Sequence, residues 1–193
     1  MGAGFIVRDV QLVAYRNAGF NVCGLVSRTP EIAREVGELR GVPHVFDTLD
    51  AMLENPAIEI VDIAVSPDQQ LPVIRQIAGA TRKPKGILAQ KPLAMDYCQA
   101  LDLVKICRDA GIRLAVNQNI PTARRVGYTQ VKRSLVPGRL WSLVRFLMDA
   151  IACNREPEHS GDDNVKTMVL IEACYRSIAE KRLVRLSEIF SAR

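Results

Sequence analysis

Two short segments of this 193-residue chain carry residue types whose spacing could do chemistry. Gly2-Ala3-Gly4-Phe5-Ile6-Val7 meets five of the six demands of the pattern G-x-G-x-x-G/A. Its first glycine permits a tight turn. Its second lets a pyrophosphate approach the backbone, where N–H groups at a helix start favour negative charge. Val7 departs from the pattern, which asks for a small residue so that helix and strand pack closely. About twenty residues on, where an acidic side chain would bind the ribose 2′-hydroxyl of NAD, the chain has Ser27 and Arg28. A guanidinium matches phosphate oxygens two at a time, so Arg28 favours the 2′-phosphate of NADP over NAD. An exposed loop charge is the other reading of Arg28.

The second segment is Gln90-Lys91-Pro92-Leu93-Ala94, directly after an apolar run. A lysine at the carboxyl end of a parallel strand points into the crevice where ligands bind. There Lys91 would orient a substrate hydroxyl or stabilise a developing alkoxide. A surface lysine ahead of a helix is the plainer alternative. Metal chemistry is not expected, because the only histidines, His44 and His159, belong to no metal-spaced cluster. The five cysteines include no C-x-x-C pair and read as reduced core thiols.

Elements able to position these segments alternate along the first 119 residues. Asn21–Val26, Val45–Phe46, Ile58–Val65, Gly86–Ala89 and Ile112–Val116 read as buried strands, rich in β-branched residues. Helices lie between them. Thr29 with Pro30, Thr48, and Asp96 with Gln99 are N-terminal caps, and Gly111 is a stop. The helix after Ser66-Pro67 shows Gln70, Ile74, Ile77 and Ala78 at helical spacing. Strands separated by such helices predict right-handed crossovers and a parallel sheet. Residues 120–140 are basic, with Pro121 and Pro137, and offer no strand. Trp141, Val144, Leu147 and Ile151 mark a helix. Ser160 and Asp163 open another that carries Met168, Ile171, Cys174 and Ile178 on one face, and Leu183–Ile189 reads as a terminal strand.

In order along the chain, GAGF, VSRTPEIA, IEIVDIAVSP, QKPLA and AGIRLAVNQN resemble the glucose–fructose oxidoreductase and inositol dehydrogenase (Gfo/Idh/MocA) family. Gln90 stands where that family has the glutamate of an E-K-P signature. REPEHSGDDNVKTMVLIEACYRSIAE with RLVRLSEI resembles its C-terminal helix and last strand. The resemblance implies an α/β, Rossmann-like doubly wound parallel sheet over residues 1–119, an irregular junction at 120–140 and a helical remnant of the C-terminal domain at 141–193. It implies hydride transfer between NAD(P) and a hydroxyl or ketone carbon of a sugar, inositol or polyol. Gly2, Gly4, Phe5, Ile6, Ser27, Arg28, Ser66, Pro67, Gln90 and Pro92 would then border the nucleotide, and Lys91 would position the substrate. Against the family pattern, the sheet is expected to lack its first strand. Most of the substrate domain, with its aspartate and histidine, also has no counterpart. Turnover is therefore expected to be impaired, and a non-catalytic nucleotide-binding or interaction module is the alternative.

Composition fits a globular chain: 48% apolar and 24% charged, with a net charge of +5. No apolar run suggests a membrane span and no targeting segment is read, so the expected location is the cytoplasm. Arg124, Arg125, Lys132, Arg133 and Arg139 form the densest basic group. They lack an aromatic platform, and nucleic acid is not the expected partner.

Overall fold

Runs of β-branched and aliphatic residues form five short parallel strands in the computed structural model, which describes residues 1–117 and 140–190. β3 (Ile60–Ile63), β4 (Gly86–Gln90) and β5 (Arg113–Asn117) pair in that order, with Ile63 opposite Ala89 and Gln90 opposite Asn117. β1 (Leu25–Val26) pairs with β2 (Val45–Phe46). Met1 and Gly2 lie in the lane between the two groups. The Gly2 N–H donates to the Val26 carbonyl at 2.8 Å, and the Met1 carbonyl accepts from the Ala64 N–H at 2.9 Å. The layer therefore runs β2, β1, Met1–Gly2, β3, β4, β5. The lane predicted to lack its strand holds these two residues.

Both faces of this layer are covered, which explains why its strands read as continuous apolar runs. A π-helical stretch (Ile6–Gln11) runs directly into α1 (Leu12–Asn17), followed by α2 (Pro30–Arg40) and α3 (Leu49–Glu54). On one face α4 (Pro67–Gly79), α5 (Tyr97–Asp109) and α7 (Gly161–Glu180) bury Ile74, Ile77, Leu103 and Met168 against Ile63 and Ile87. On the other, α6 (Leu140–Ala152) sets Leu147 on Leu88 and Ala115. Each such fully buried aliphatic side chain stabilises by about 1.5–3 kcal/mol. Residues 140–190 thus pack on the same sheet as residues 1–117.

The caps behave largely as their sequences imply. Thr48 accepts the Ala51 N–H at 3.1 Å, Asp96 accepts the Gln99 N–H at 2.8 Å, and Ser160 accepts the Asp163 N–H at 3.2 Å. Gly111 ends α5 with φ +73°. Thr29 occupies the N-cap of α2 without a side-chain capping bond, leaving Pro30 as that helix's start signal.

Three expectations are corrected. Leu183–Ile189 is no strand: Glu188 accepts the Arg185 N–H at 2.9 Å and opens a helical turn, α8 (Leu186–Phe190). The Arg182 guanidinium beside Glu188, with that backbone bond, pulls its carboxyl down to about 2. Asn21–Val26 pairs only at Leu25–Val26, because the lanes beside it hold just two residues each. The cysteines are not all core thiols: Cys107 alone is buried, Cys23 is half-buried, and Cys98 and Cys174 on helices and Cys153 in the turn after α6 are exposed. Burial pushes the Cys107 thiol up to about 12, so it carries no thiolate at neutral pH. A maleimide added to the native protein is expected to label the three exposed thiols within minutes and spare Cys107 until urea unfolds the chain. Mass spectrometry of the peptide containing Cys107 reads this directly.

The basic group from Arg124 to Arg139 and the 120–140 junction, save Leu140 at the start of α6, lie outside the described residues. Among the described residues, no helix is long and apolar enough to cross a membrane, and no group of three His, Cys, Asp or Glu could hold a metal.

Candidate dinucleotide site

Because all strands run the same way, their carboxyl ends share one edge, and most of the residues singled out above lie along it. Gly2 adopts φ +95°, and a Cβ there would sit 2.5 Å from the Ala64 carbonyl oxygen. Both facts confine the position to glycine. Gly4 has the opposite character: it is exposed, and a Cβ there would meet nothing within 4 Å. The helix opens immediately afterwards, with the Arg8 N–H donating to the Gly4 carbonyl at 2.9 Å. The N–H groups of a helix's first turn have no intrahelical acceptors and carry its positive end. Open space at Gly4 beside the start of a helix is a place that could receive an anion. Phe5 and Ile6 flank the turn, 66% and 50% exposed.

Arg40 fixes this turn against the unit formed by β1 and α2. Its Nε donates to the Arg8 carbonyl at 2.7 Å and its guanidinium pairs with Asp9 at 2.8 Å. Ser27 and Arg28 follow β1 directly, and the Arg28 side is exposed. Ser66 is the N-cap of α4, with Pro67 in its first turn. The Asp68 carboxyl is held below its ordinary range by Gln69 first and by Ser66, and the charge of Arg28 adds to this.

Lys91 is exposed just beyond β4, and the Lys91–Pro92 peptide is cis. Gly2 is one lane from Ala64, and β3 is one lane from β4, so the glycine turn and the lysine stand about 10 Å apart by strand spacing. What holds the Gln90–Pro92 segment is Gln70. Its Nε2 donates to the Gln90 and Pro92 carbonyls at 3.0 and 2.7 Å, and its Oε1 accepts the Gln90 N–H at 3.1 Å. Gln70 is wholly buried. Sequence reading placed it on the apolar stripe of α4 and missed this role. The signal was present, since a carboxamide inside an aliphatic stripe must find buried partners. Beside it, Gln90 Nε2 and Asn117 Oδ1 are buried without partners among the described residues, on paired positions of β4 and β5. They are an unmet donor and acceptor at the same edge.

The histidines are elsewhere. His44 precedes β2, at the amino edge of the sheet, and gives its carbonyl to the Leu25 N–H. His159 gives its carbonyl to the Val116 N–H at 2.8 Å, one lane beyond β5 and two from the lysine's strand.

A parallel sheet with helices on both faces and a glycine turn at its carboxyl edge defines the dinucleotide-binding class of α/β proteins. The chain belongs to the Gfo/Idh/MocA oxidoreductase family with an NAD-binding Rossmann fold, which it matches over residues 1–118. It is 28% identical over 152 residues to a D-apiose dehydrogenase of Paraburkholderia graminis, covering 76% of this chain and 39% of that protein. It is 24% identical over 140 residues to a 1,5-anhydro-D-fructose reductase of Ensifer adhaerens, covering 72% and 40%. The chain thus spans about two-fifths of the length of these curated relatives. Among solved structures, an oxidoreductase of Agrobacterium radiobacter in complex with NAD+, L-tartaric acid and magnesium shares the fold over 97% of both chains, with a TM-score of 0.81 and 14% identity. An oxidoreductase of Thermotoga maritima matches 61% of this chain and 36% of its own, with a TM-score of 0.56 and 26% identity.

Proposed function

We propose that the carboxyl edge of this sheet binds NADP(H), and that the protein belongs to a hydride-transfer reaction on a sugar, inositol or polyol. The carrying observation is the cradle at Gly4: open space in front of a helix start, on the edge that also bears Arg28, Ser66 and Lys91. In this reading Gly2 makes the turn, while Gly4, Phe5 and Ile6 present N–H groups to the pyrophosphate. Ser27 and Arg28 take the 2′-phosphate, and Ser66, Pro67, Gln90 and Pro92 border the rest of the nucleotide. A bound nicotinamide supplies the hydride acceptor or donor. Lys91, held by the Gln70 clamp, donates hydrogen bonds to a substrate hydroxyl and steadies negative charge developing on its oxygen. Residues 1–117 supply the nucleotide site and 140–190 brace the sheet. The sugar-acting relatives support a carbohydrate substrate.

A nucleotide-binding module without turnover is the second reading. The position of the histidines favours it, since neither His44 nor His159 adjoins the strand of Lys91.

Arg28→Ala is expected to weaken NADP+ binding by about 10–100-fold and leave NAD+ binding within about twofold. A charge-assisted bond of roughly 1.5–3 kcal/mol is lost only where the 2′-phosphate exists. Isothermal titration with both nucleotides tests this, and equal losses for the two would remove Arg28 from the site. Absorbance at the nicotinamide band, followed with a panel of polyols, separates the two readings of the whole protein.

A further inference from the structure

α7 has two apolar faces, and the core accounts for one of them. Val165, Met168, Val169 and Ala173 are buried there. On the opposite side Thr167, Ile171, Cys174 and Ile178 follow one another at alternating spacings of four and three residues. That is the seam one helix offers to another. Leu170 and Tyr175 flank it. A surface helix normally turns polar residues outward. Here Leu170 is 53% exposed, Tyr175 71% and Ile178 73%, and Ile171 is exposed with them. Ser177 Oγ donates to the Arg182 carbonyl at 2.6 Å and holds the following chain against the last turn of α7. This sets Leu183, also largely exposed, at the end of the stripe.

Area and charge together point to the occupant. Taking about 200 Å² for each large side chain when free, Leu170, Ile171, Tyr175, Ile178 and Leu183 leave on the order of 600 Å² open. A stable dimer buries about 800 Å² per partner, roughly 60% of it apolar, so this face is large enough for one. The ends of the stripe carry opposite charges: exposed Asp163 lies four residues before Thr167, and exposed Lys181 three after Ile178. Two copies of α7 laid parallel would set Asp163 against Asp163 and Lys181 against Lys181. Laid antiparallel about a two-fold axis between Ile171 and Cys174, each Ile171 meets the other copy's Cys174, and each Thr167 meets its Ile178. Each Asp163 then comes level with the other copy's Lys181. The opposed helix dipoles favour the same direction.

We propose that the outer face of α7 is a homodimer interface, in which α7 pairs antiparallel with α7 of a second copy. One patch serves both copies, so the contact closes at two. The inward face of α7 stays in the core of its own chain.

Sedimentation equilibrium of the full chain tests this, with more than half dimer expected at about 50 μM. Ile178→Glu, at an exposed position, is expected to raise the dissociation constant at least about 100-fold with unchanged far-ultraviolet dichroism, because the axis places each substitution in the seam twice. Lys181→Glu is expected to raise it about 10-fold, and Asp163→Lys together with Lys181→Glu to return it to within about threefold of the parent. The charge swap leaves the apolar stripe intact, so it decides alone if Ile178→Glu fails to fold. A parent chain that is monomeric at that concentration would overturn the proposal. So would an Ile178→Glu protein that folds and dimerises as the parent does, or a charge swap no tighter than Lys181→Glu.

Discussion

Gly4→Val is expected to weaken NADP+ binding by at least about 100-fold in isothermal titration, while the thermal midpoint stays within about 2 °C of the parent. The two halves of this result come from one observation. A Cβ at residue 4 meets no atom within 4 Å among the described residues beyond its own chain neighbours, and the backbone there is not in the left-handed region. The folded protein therefore accommodates a valine without moving. That same space is where phosphate oxygens must come to reach the N–H groups at the helix start. Each such charge-assisted bond contributes roughly 1.5–3 kcal/mol, so losing two accounts for the effect. Gly2 offers no such separation, because a Cβ at 2.5 Å from the Ala64 oxygen disturbs the fold itself. A Gly4→Val protein that bound NADP+ normally would show that the phosphates go elsewhere.

Gln70→Leu has the next largest expected effect, and it falls on stability first. Leucine fills nearly the same space but leaves the Gln90 N–H, the Gln90 carbonyl and the Pro92 carbonyl without their partner. Unpaired buried groups cost roughly 1–3 kcal/mol each, partly offset by the added aliphatic burial. A net loss of about 3 kcal/mol is expected in urea unfolding. The second effect is on Lys91, whose segment is freed. If the wild type turns over a polyol, KM is expected to rise and kcat to fall together, without a change in NADP+ affinity beyond about threefold. A Gln70→Leu protein as stable as its parent would mean that the clamp is not what sets the position of Gln90–Pro92.

The strong elements were legible because their signals are local. IEIVDIAV and GILA read as strands from their β-branched and aliphatic runs, and Thr48, Asp96 and Ser160 cap helices through backbone groups three residues away. The glycine turn and Lys91 were legible as separate candidates. Their place on a shared edge follows from strand order, which crossover logic supplies. What sequence could not give is whatever depends on a distant partner. Asn21–Gly24 has strand composition yet joins no ladder among the described residues, because β2 and Met1–Gly2 reach only Leu25–Val26. Leu183–Ile189 carries four aliphatics in seven residues, yet Glu188 accepts the Arg185 N–H and opens a helical turn. Gln70 was visible as a residue but not as a clamp, since its three bonds cross twenty residues or more. The exposed cysteines were misread because helical stretches were equated with core, although α7 leaves Cys174 and Tyr175 on its outer face.

Backbone amide shifts of the labelled protein, recorded while NADP+ is added, test the central claim most directly. The account predicts that the largest shifts fall on Gly2 to Val7, Ser27, Arg28 and Ser66, with smaller ones at Lys91. Shifts concentrated instead along Asn21 to Cys23 and Ala57 to Ile60, or no shifts at millimolar nucleotide, would contradict it.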